Sequence, residues 1–276
     1  TANGLRPPEL NALIPDGEVY STLLFQHQGD VEASNTGAER YVRNLNQDLA
    51  HQQFSSFFNL ALQEEVDLVL TPEYSCPWSV IDGLITNDQL PSNGKLWIVG
   101  CESIQPNKLR EFRDKHNDAI VFIADEKIES TIADRFLDPV CIFFRTRTSD
   151  GLVDRPVLLI QFKTNPMGGD FEVQSLITGY RRYVLHNNGD NGVRLAVVVC
   201  ADASDLAIDN VTFPQLDVYP YLFVHLQLNE KSKQTEFKNY RTSFFSKGME
   251  DQCNKELVCL NWADGSRLPN VDGTYR

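Results

Sequence analysis

The sequence predicts an α/β protein built as a four-layer αββα sandwich, in which two sheets stack face to face between outer helices. Three observations lead to this prediction. Short apolar segments typical of strands recur along most of the chain, and segments with helical spacing separate several of them. Several strand segments are apolar on both faces, which is typical of sheets covered on both sides. Two stacked sheets with helices outside bury all of these faces.

The predicted order is strand, helix, strand, helix, strand, then a run of strands, and finally strand, helix, strand. The first strand is predicted over residues 18–28, and a polar loop follows it. Apolar residues recur at helical spacing over residues 38–64, which predicts one long amphipathic helix. Residues 78–90 are predicted to be helix or loop, and a last helix is predicted over residues 234–252. The remaining strands are predicted at residues 66–75, 96–103, 119–125, 140–147, 155–166, 193–203, 218–228 and 256–265.

The bulk composition limits the kind of protein this is. The chain has 276 residues, of which 42% are hydrophobic and 23% are charged, so we expect a single domain over residues 1–276. The longest apolar runs are about eight residues, whereas a membrane-spanning helix needs about 20, so we expect no membrane partner. The formal net charge of −13 repels phosphate backbones, so we expect no direct nucleic-acid binding by this domain.

The six cysteines and the N-terminal sequence carry two further expectations. In a chain of this length the cysteines form no dense disulfide framework, and no Cys-x-x-Cys pair indicates zinc. We expect reduced thiols in a cytoplasmic protein, most of them inert core residues. The sequence begins TANGLRPPEL, without an initiator methionine or a signal-peptide pattern. We therefore expect a segment excised or trimmed from a longer protein.

Three chemically reactive side chains interrupt apolar segments at their carboxyl ends. Glu73 follows VDLVLTP, Lys163 follows VLLIQF, and Cys200 follows RLAVVV. Ligand sites in α/β sheets lie beyond the carboxyl ends of strands, so we expect the three side chains to converge. The carboxylate and the ammonium then compensate each other's desolvation, and the neighbouring cation is expected to lower the pKa of the thiol.

Such a trio is suited to acyl transfer. A cysteine thiolate attacks a carbonyl or nitrile carbon, a carboxylate takes and returns protons, and an ammonium stabilises the charge that develops on the substrate. The backbone N–H of Ala201 is a candidate second donor to the oxyanion. Taken singly, Cys200 is also explained as a packed core thiol, Glu73 as a carboxylate facing water, and Lys163 as a snorkelling lysine. Their combination, each at the end of an apolar strand, indicates a site.

The same segments resemble the sequence blocks of the nitrilase, or carbon–nitrogen hydrolase, superfamily, whose catalytic residues occur in the order Glu, Lys, Cys. DLVLTPEYS is similar to the first block, LIQFKTNP to the lysine block, and VVVCADAS to the nucleophile block, in which an Asp follows the Cys by two positions. LWIVGCES and LVCLNWADG resemble two further strands of the family. The resemblance covers roughly residues 18–265.

This resemblance implies an αββα fold and the hydrolysis or transfer of acyl groups from amides, nitriles, ureas or carbamoyl compounds, without a cofactor. It implies Cys200 as nucleophile, Glu73 as general base and acid, and Lys163 as oxyanion stabiliser. Many members place a second glutamate shortly after the lysine; Glu172 is the candidate here, and Asp170 is the competing choice. The expected small-molecule partner is an amide, nitrile or carbamoyl substrate. Because the family favours dimers, we expect a second copy of the chain as a protein partner, or else contacts with other domains of the parent protein.

Two other interpretations stay open. Family members usually carry an aromatic residue directly after the nucleophile, where this chain has Ala201, and they continue with further strands after the NWADG segment. These departures favour an assembly or binding module, catalytically altered, within a multidomain protein; divergent nitrilase-like domains occur fused to other modules, including bacterial defence-associated reverse transcriptases. The third interpretation is an α/β binding protein whose three strand-end side chains do not share a pocket.

Overall fold

A computed structural model describes residues 4–14, 19–26, 28–34, 40–132, 134–167, 170–187, 192–204, 220–229, 235–246 and 255–262. The described residues form twelve strands: β1 (Thr22–Leu24), β2 (Val31–Ser34), β3 (Tyr41–Asn44), β4 (Leu68–Cys76), β5 (Leu96–Cys101), β6 (Val121–Ala124), β7 (Pro139–Arg147), β8 (Asp154–Phe162), β9 (Val184–His186), β10 (Arg194–Val199), β11 (Tyr221–Gln227) and β12 (Lys255–Asn261). They also form five α-helices: α1 (Gln47–Gln63), α2 (Trp78–Thr86), α3 (Pro106–His116), α4 (Asp170–Ser175) and α5 (Thr235–Ser246). Of these helices, none is both long and apolar enough to cross a lipid bilayer.

Most of the strands belong to two sheets. The first is six-stranded with the order β1-β4-β5-β7-β8-β6; β7 runs antiparallel to both of its neighbours, and the other pairs are parallel. The second is four-stranded with the order β12-β11-β10-β9, and only β9 pairs antiparallel within it. Strands β2 and β3 form a separate antiparallel ribbon. Of the three predicted side chains, Glu73 lies in the second half of β4, whereas Lys163 and Cys200 directly follow β8 and β10.

The two sheets stack face to face, which confirms the predicted αββα layers. Successive side chains of a strand point to opposite faces of its sheet. Leu70 of β4, Ile98 of β5 and Val224 of β11 therefore meet in the core between the two sheets. The other face of the six-stranded sheet packs against α1, α2 and α3. The other face of the four-stranded sheet packs against Phe237 and Tyr240 of α5.

The long helix predicted over residues 38–64 starts too early, because part of it is strand β3. The β3 backbone pairs with β2, which lies where a loop was predicted. Asn44 at the end of β3 donates its N–H to Glu102, beyond β5, at 2.7 Å. The helix α1 begins only after Asn46, whose side chain accepts a hydrogen bond from Leu49 N–H at 3.0 Å and caps the helix. Long-range pairing thus overrides the helical spacing of the apolar residues before this cap.

Other boundaries also differ from the predictions. Within the strand predicted over residues 18–28, the described residues form only the short strand β1, which pairs with β4; residues 18 and 27 lie outside the described residues. Helix α3 and strand β9 lie where no helix or strand was predicted. The α3 sequence is mostly polar and buries few apolar side chains, such as Leu109 and Phe112, so its pattern is weak. Residues 234 and 247–252 of the predicted last helix, and residues 263–265 of the last strand, lie outside the described residues.

Candidate active site

Glu73 lies in the second half of β4, where the strand departs from regular pairing. The pairing of β4 with β5 shifts register along this segment, and Tyr74 adopts a positive φ of 56°. Pro72 contributes no backbone donor to the ladder. Gly100 of β5 allows the close approach, because a Cβ at that position would lie 2.0 Å from the Pro72 carbonyl oxygen. The irregular segment leaves the Glu73 side chain buried, with 1% of the residue exposed.

Lys163 directly follows β8 and is fully buried. Its backbone is fixed on both sides: the N–H donates to Asp138 O at 3.0 Å, and the carbonyl accepts from Gly179 N–H at 2.8 Å. Its ammonium donates to Glu73 Oε1 at 2.8 Å and to both carboxylate oxygens of Glu172 at 2.9 Å. A buried charge is tolerated when it is paired and hydrogen-bonded in this way.

Glu172 lies in the short helix α4, and both of its carboxylate oxygens accept hydrogen bonds. Besides the lysine, they accept from Tyr74 OH at 2.9 Å and from Met167 N–H. Asp170, the competing candidate, begins the same helix, and its side chain lies outside the described part of the structure. Of the two candidates, Glu172 is therefore the one whose side-chain contact with Lys163 the structure describes.

Cys200 directly follows β10 and has a φ of 40°, in the left-handed region that residues other than glycine rarely adopt. The surrounding backbone holds this conformation: the Cys200 N–H donates to Leu226 O at 2.8 Å, and its carbonyl accepts from Ala203 N–H at 3.1 Å. The side chain is fully buried. Such a conformation costs on the order of 1–3 kcal/mol and persists where the neighbouring structure enforces it, often at functional sites.

His225 of β11 gives the Cys200 carbonyl a second hydrogen bond, from Nε2 at 3.1 Å. A carbonyl only accepts, so Nε2 carries the proton, and the Gln227 amide nitrogen donates to Nδ1 at 3.0 Å. Burial lowers the pKa of His225 to about 4, so the imidazole is neutral near neutral pH. Sequence reasoning missed this residue because a single histidine within an apolar strand forms no recognisable pattern.

Asp202 explains the carboxylate that stands two positions after the cysteine. Its Oδ1 accepts hydrogen bonds from the backbone N–H groups of Thr164 at 2.9 Å and Asn165 at 2.7 Å. These bonds join the turn after β10 to the segment after Lys163, so they fix the two strand ends relative to each other. Burial raises the pKa of Asp202 to about 6, although Arg182 and Lys163 oppose this shift.

The structure brings Glu73, Lys163 and Glu172 into direct contact and places Cys200 within electrostatic range of all three. Burial disfavours the charge on Lys163, but Glu172 and Glu73 outweigh it and raise its pKa well above the ordinary value. Burial raises the pKa of Glu73, and the charge on Lys163 offsets only part of this shift.

The predicted lowering of the Cys200 pKa is wrong. Burial, and next the negative charge of Glu73, raise the pKa of this thiol well above its ordinary value, and Lys163 offsets only part of the effect. The prediction counted one carboxylate and one cation around the sulfur, whereas the structure gathers several carboxylates around one cation. Cys200 is therefore a neutral thiol in the resting protein.

A further carboxylate, Asp138, immediately precedes β7 and was not predicted. It is fully buried, and its Oδ2 lies 3.8 Å from Lys163 Nζ, beyond hydrogen-bond distance. Single oxygens of Glu73, Asp138 and Glu172 lie within 4.8 Å of one another, a spacing at which carboxylates can hold a metal ion. The Lys163 ammonium, however, already contacts Glu73 and Glu172 there, so a side chain of the protein supplies the positive charge that a metal ion would bring.

Five cysteines lie in the described part of the chain, and all are free thiols. Four of them are buried as expected, namely Cys76, Cys101, Cys141 and Cys200, whereas Cys259 is exposed. Cys253 lies outside the described residues.

No protein-family model and no curated protein matches the chain. Among solved structures, it is similar to a glutamine-dependent NAD(+) synthetase from Cytophaga hutchinsonii, with 10% sequence identity and a TM-score of 0.38. The match covers 85% of this chain and 35% of that chain, so this chain spans about a third of the synthetase. A likeness this distant carries no argument about activity. The chain's own two stacked sheets and outer helices give it a four-layer αββα fold.

Proposed function

We propose that the chain is a thiol-dependent hydrolase of non-peptide carbon–nitrogen bonds, of the amide, nitrile or carbamoyl type, acting through a covalent acyl-enzyme. The observation that carries the proposal is the buried contact of Lys163 with Glu73 and Glu172, beside the strained turn of Cys200. A structural role alone does not require a cation, carboxylates and a sulfur at converging strand ends. We assign catalytic roles to Glu73, Lys163 and Cys200, and an orienting role to Glu172.

The reaction starts from the neutral thiol. As the Cys200 sulfur forms a bond to the substrate carbon, its proton passes to Glu73, and an electron pair moves onto the substrate oxygen or nitrogen. A free thiolate is therefore not needed in the resting enzyme. The raised pKa of Glu73 suits it to hold the proton until the next step.

Lys163 then stabilises the negative charge on the substrate heteroatom. Its raised pKa keeps it protonated, and all three of its N–H groups are engaged in the resting protein, one by Glu73 and two by Glu172. When Glu73 takes the thiol proton it becomes a weaker acceptor, so the N–H that it held turns to the substrate while the two bonds to Glu172 hold the ammonium in place. The Ala201 N–H, directly after the nucleophile, has no acceptor among the described residues and supports the role of second donor.

For an amide, Glu73 next returns the proton to the leaving nitrogen, the carbon–nitrogen bond breaks, and the amine departs. A water molecule then attacks the thioester while Glu73 accepts one of its protons. The sulfur–carbon bond breaks, the carboxylic acid leaves, and Cys200 recovers its proton. Glu73 thus acts as base and as acid in alternate steps, without a redox partner.

The test is a panel of small amides, nitriles and carbamoyl compounds, assayed for product release and, after acid quenching, for a mass increase on the Cys200 peptide. The expected result is turnover of at least one compound together with its acyl group on Cys200. Cys200→Ser removes the adduct, whereas Cys259→Ser, at an exposed thiol, leaves the rate unchanged. Absence of both turnover and adduct across the panel contradicts the proposal.

The second candidate is an assembly or binding module within a larger protein. One observation favours it: the four proposed site residues are each at most 4% exposed. In this case Cys200→Ala leaves the biological activity of the parent protein intact. Loss of that activity in a folded Cys200→Ala protein excludes the second candidate.

A further inference from the structure

Asp138 differs from the two glutamates of the cluster in how its carboxylate oxygens are satisfied. Glu73 accepts from Lys163 on Oε1 and from Leu228 N–H on Oε2 at 2.6 Å. Glu172 accepts from the lysine, from a phenol and from a backbone N–H, as described above. Among the described residues, no donor lies within hydrogen-bond distance of either side-chain oxygen of an ionised Asp138.

The excess negative charge of the cluster favours a proton on at least one of its three carboxyl groups. With Glu73, Asp138 and Glu172 all ionised beside one ammonium, the cluster would carry two uncompensated negative charges away from water. Burying such charges costs far more than protonating an acid. Hydrogen bonds donated to a carboxylate favour its ionised form. Glu73 and Glu172 accept such bonds and Asp138 does not, so the proton belongs on Asp138.

A proton on Asp138 has an acceptor at hand. Single side-chain oxygens of Glu73 and Asp138 lie within 4.8 Å of each other, and two ionised carboxylates have no donor to share. Once protonated, Asp138 donates its O–H to Glu73. The electrostatics agree in direction, because burial and then the charge of Glu73 raise the pKa of Asp138 well above its ordinary value.

We propose that Asp138 is a positioning residue of this site: it stays protonated and donates a hydrogen bond to Glu73, which keeps that carboxylate ionised and oriented toward the thiol. The role in orienting a base rests on the proposed function, whereas the protonated state does not. In this arrangement Glu73 is held by three donors from separate parts of the chain, namely Lys163, Leu228 and Asp138.

Several titratable groups face Asp138 from the elements packed around it, and each enters its pH dependence. They are Glu73 and Tyr74 of β4, Lys163 after β8, Glu172 of α4 and Cys200 after β10. The pKa of the Tyr74 phenol is also raised well above its ordinary value by burial, so it stays neutral. The pH dependence at neutral and acidic pH therefore reflects the carboxylates.

The protonated state is tested without reference to activity, by infrared difference spectroscopy of the wild-type protein against Asp138→Asn at neutral pH. The expected difference is the loss of a carbonyl stretching band of a protonated carboxylic acid. Loss of carboxylate bands instead overturns the proposal. Asp138→Asn keeps the shape and a donor group, so the fold is expected to persist, and circular dichroism checks this.

The positioning role is tested by the pH dependence of Cys200 alkylation with iodoacetamide. Asp138→Asn still donates to Glu73, so its rate stays within about threefold of the wild-type rate. Asp138→Leu removes the donor, so the Glu73 carboxylate loses stabilisation and the pKa of Glu73 rises. The alkylation rate then falls roughly tenfold or more, and the acidic limb of the rate–pH profile, where Glu73 becomes protonated, moves to higher pH. If Asp138 is ionised, both variants remove a negative charge and move the limb to lower pH, which overturns the proposal.

Failure of the proposed function gives a different result. In that case wild-type Cys200 is alkylated no faster than Cys141, which is equally buried and whose pKa burial also raises, and the role of Asp138 in orienting a base falls with it. The infrared band still decides the protonated state of Asp138 independently.

Discussion

Lys163 Nζ lies 2.8 Å from Glu73 Oε1, and the two side chains are 0% and 1% exposed. Lys163 directly follows β8 and Glu73 lies in the second half of β4, and two other strands of the sheet lie between β4 and β8. The ion pair therefore joins distant strands over the edge of the sheet. Such a pair is a weak net source of stability, but each partner depends on the other to remain charged away from water.

Removal of the cation is expected to destabilise the fold strongly. Lys163→Met leaves Glu73 and Glu172 buried without compensation, which costs about 3–5 kcal/mol in the free energy of unfolding. Urea denaturation measures the loss. The matched control is Lys108→Met, which breaks an exposed ion pair with Glu111 and costs at most about 1 kcal/mol. Similar losses for the two variants contradict the compensation described here.

Two glycine substitutions are expected to act in opposite directions. Gly100→Ala places a Cβ against the Pro72 carbonyl, so the segment that carries Glu73 has to move. We expect a destabilisation of roughly 2 kcal/mol or more, with loss of Cys200 reactivity. Gly83→Ala, in helix α2, meets no atom within 4 Å and is expected to stabilise the protein by about 0.5–1 kcal/mol. Thermal and urea unfolding measure both, and a neutral Gly100→Ala contradicts the close approach.

His225 predicts a pH-dependent contribution to stability. Its folded-state pKa of about 4 lies below the ordinary value of 6.5, so the unfolded chain binds more protons between these values. The contribution is fully present above about pH 6.5 and is lost as the pH falls toward 4, with a range of roughly 3 kcal/mol. His225→Gln keeps a donor for the Cys200 carbonyl but does not titrate. The stability difference between the wild type and this variant should therefore grow with pH across this window in urea denaturation, and parallel curves contradict the assignment.

The sequence was most informative where a reactive side chain interrupts a short apolar segment that is typical of a buried strand. The apolar strands before Glu73, Lys163 and Cys200 were predictable because a buried strand needs apolar residues and the reactive side chains interrupt them. The predicted αββα layers followed from strands that are apolar on both faces, as at β4 and β5. The same reasoning predicted that the three side chains converge beyond the carboxyl ends of their strands, but it did not show that β10 belongs to the other sheet.

Features that depend on contacts between distant segments could not be read from the sequence. Asp138, just before β7, and His225, within β11, are single polar residues next to apolar ones, and their roles depend on partners far along the chain. The start of α1 depends on the pairing of β3 with β2 and on the contact of Asn44 with Glu102. The raised pKa of Cys200 depends on how many carboxylates gather around one lysine, and no local pattern gives this number.

The rate at which a small neutral electrophile modifies Cys200, relative to Cys141 in the same molecule, tests most directly whether the buried cluster activates this sulfur. Both thiols are fully buried, and burial raises the pKa of each well above its ordinary value, so the two are matched in burial and in the direction of their acidity, and peptide mapping by mass spectrometry gives both rates. We expect Cys200 to react at least about tenfold faster, and Glu73→Gln to remove this advantage, because the general base is then absent. Equal rates at the two cysteines, or an unchanged Cys200 rate in Glu73→Gln, would contradict an acyl-transfer site at these strand ends.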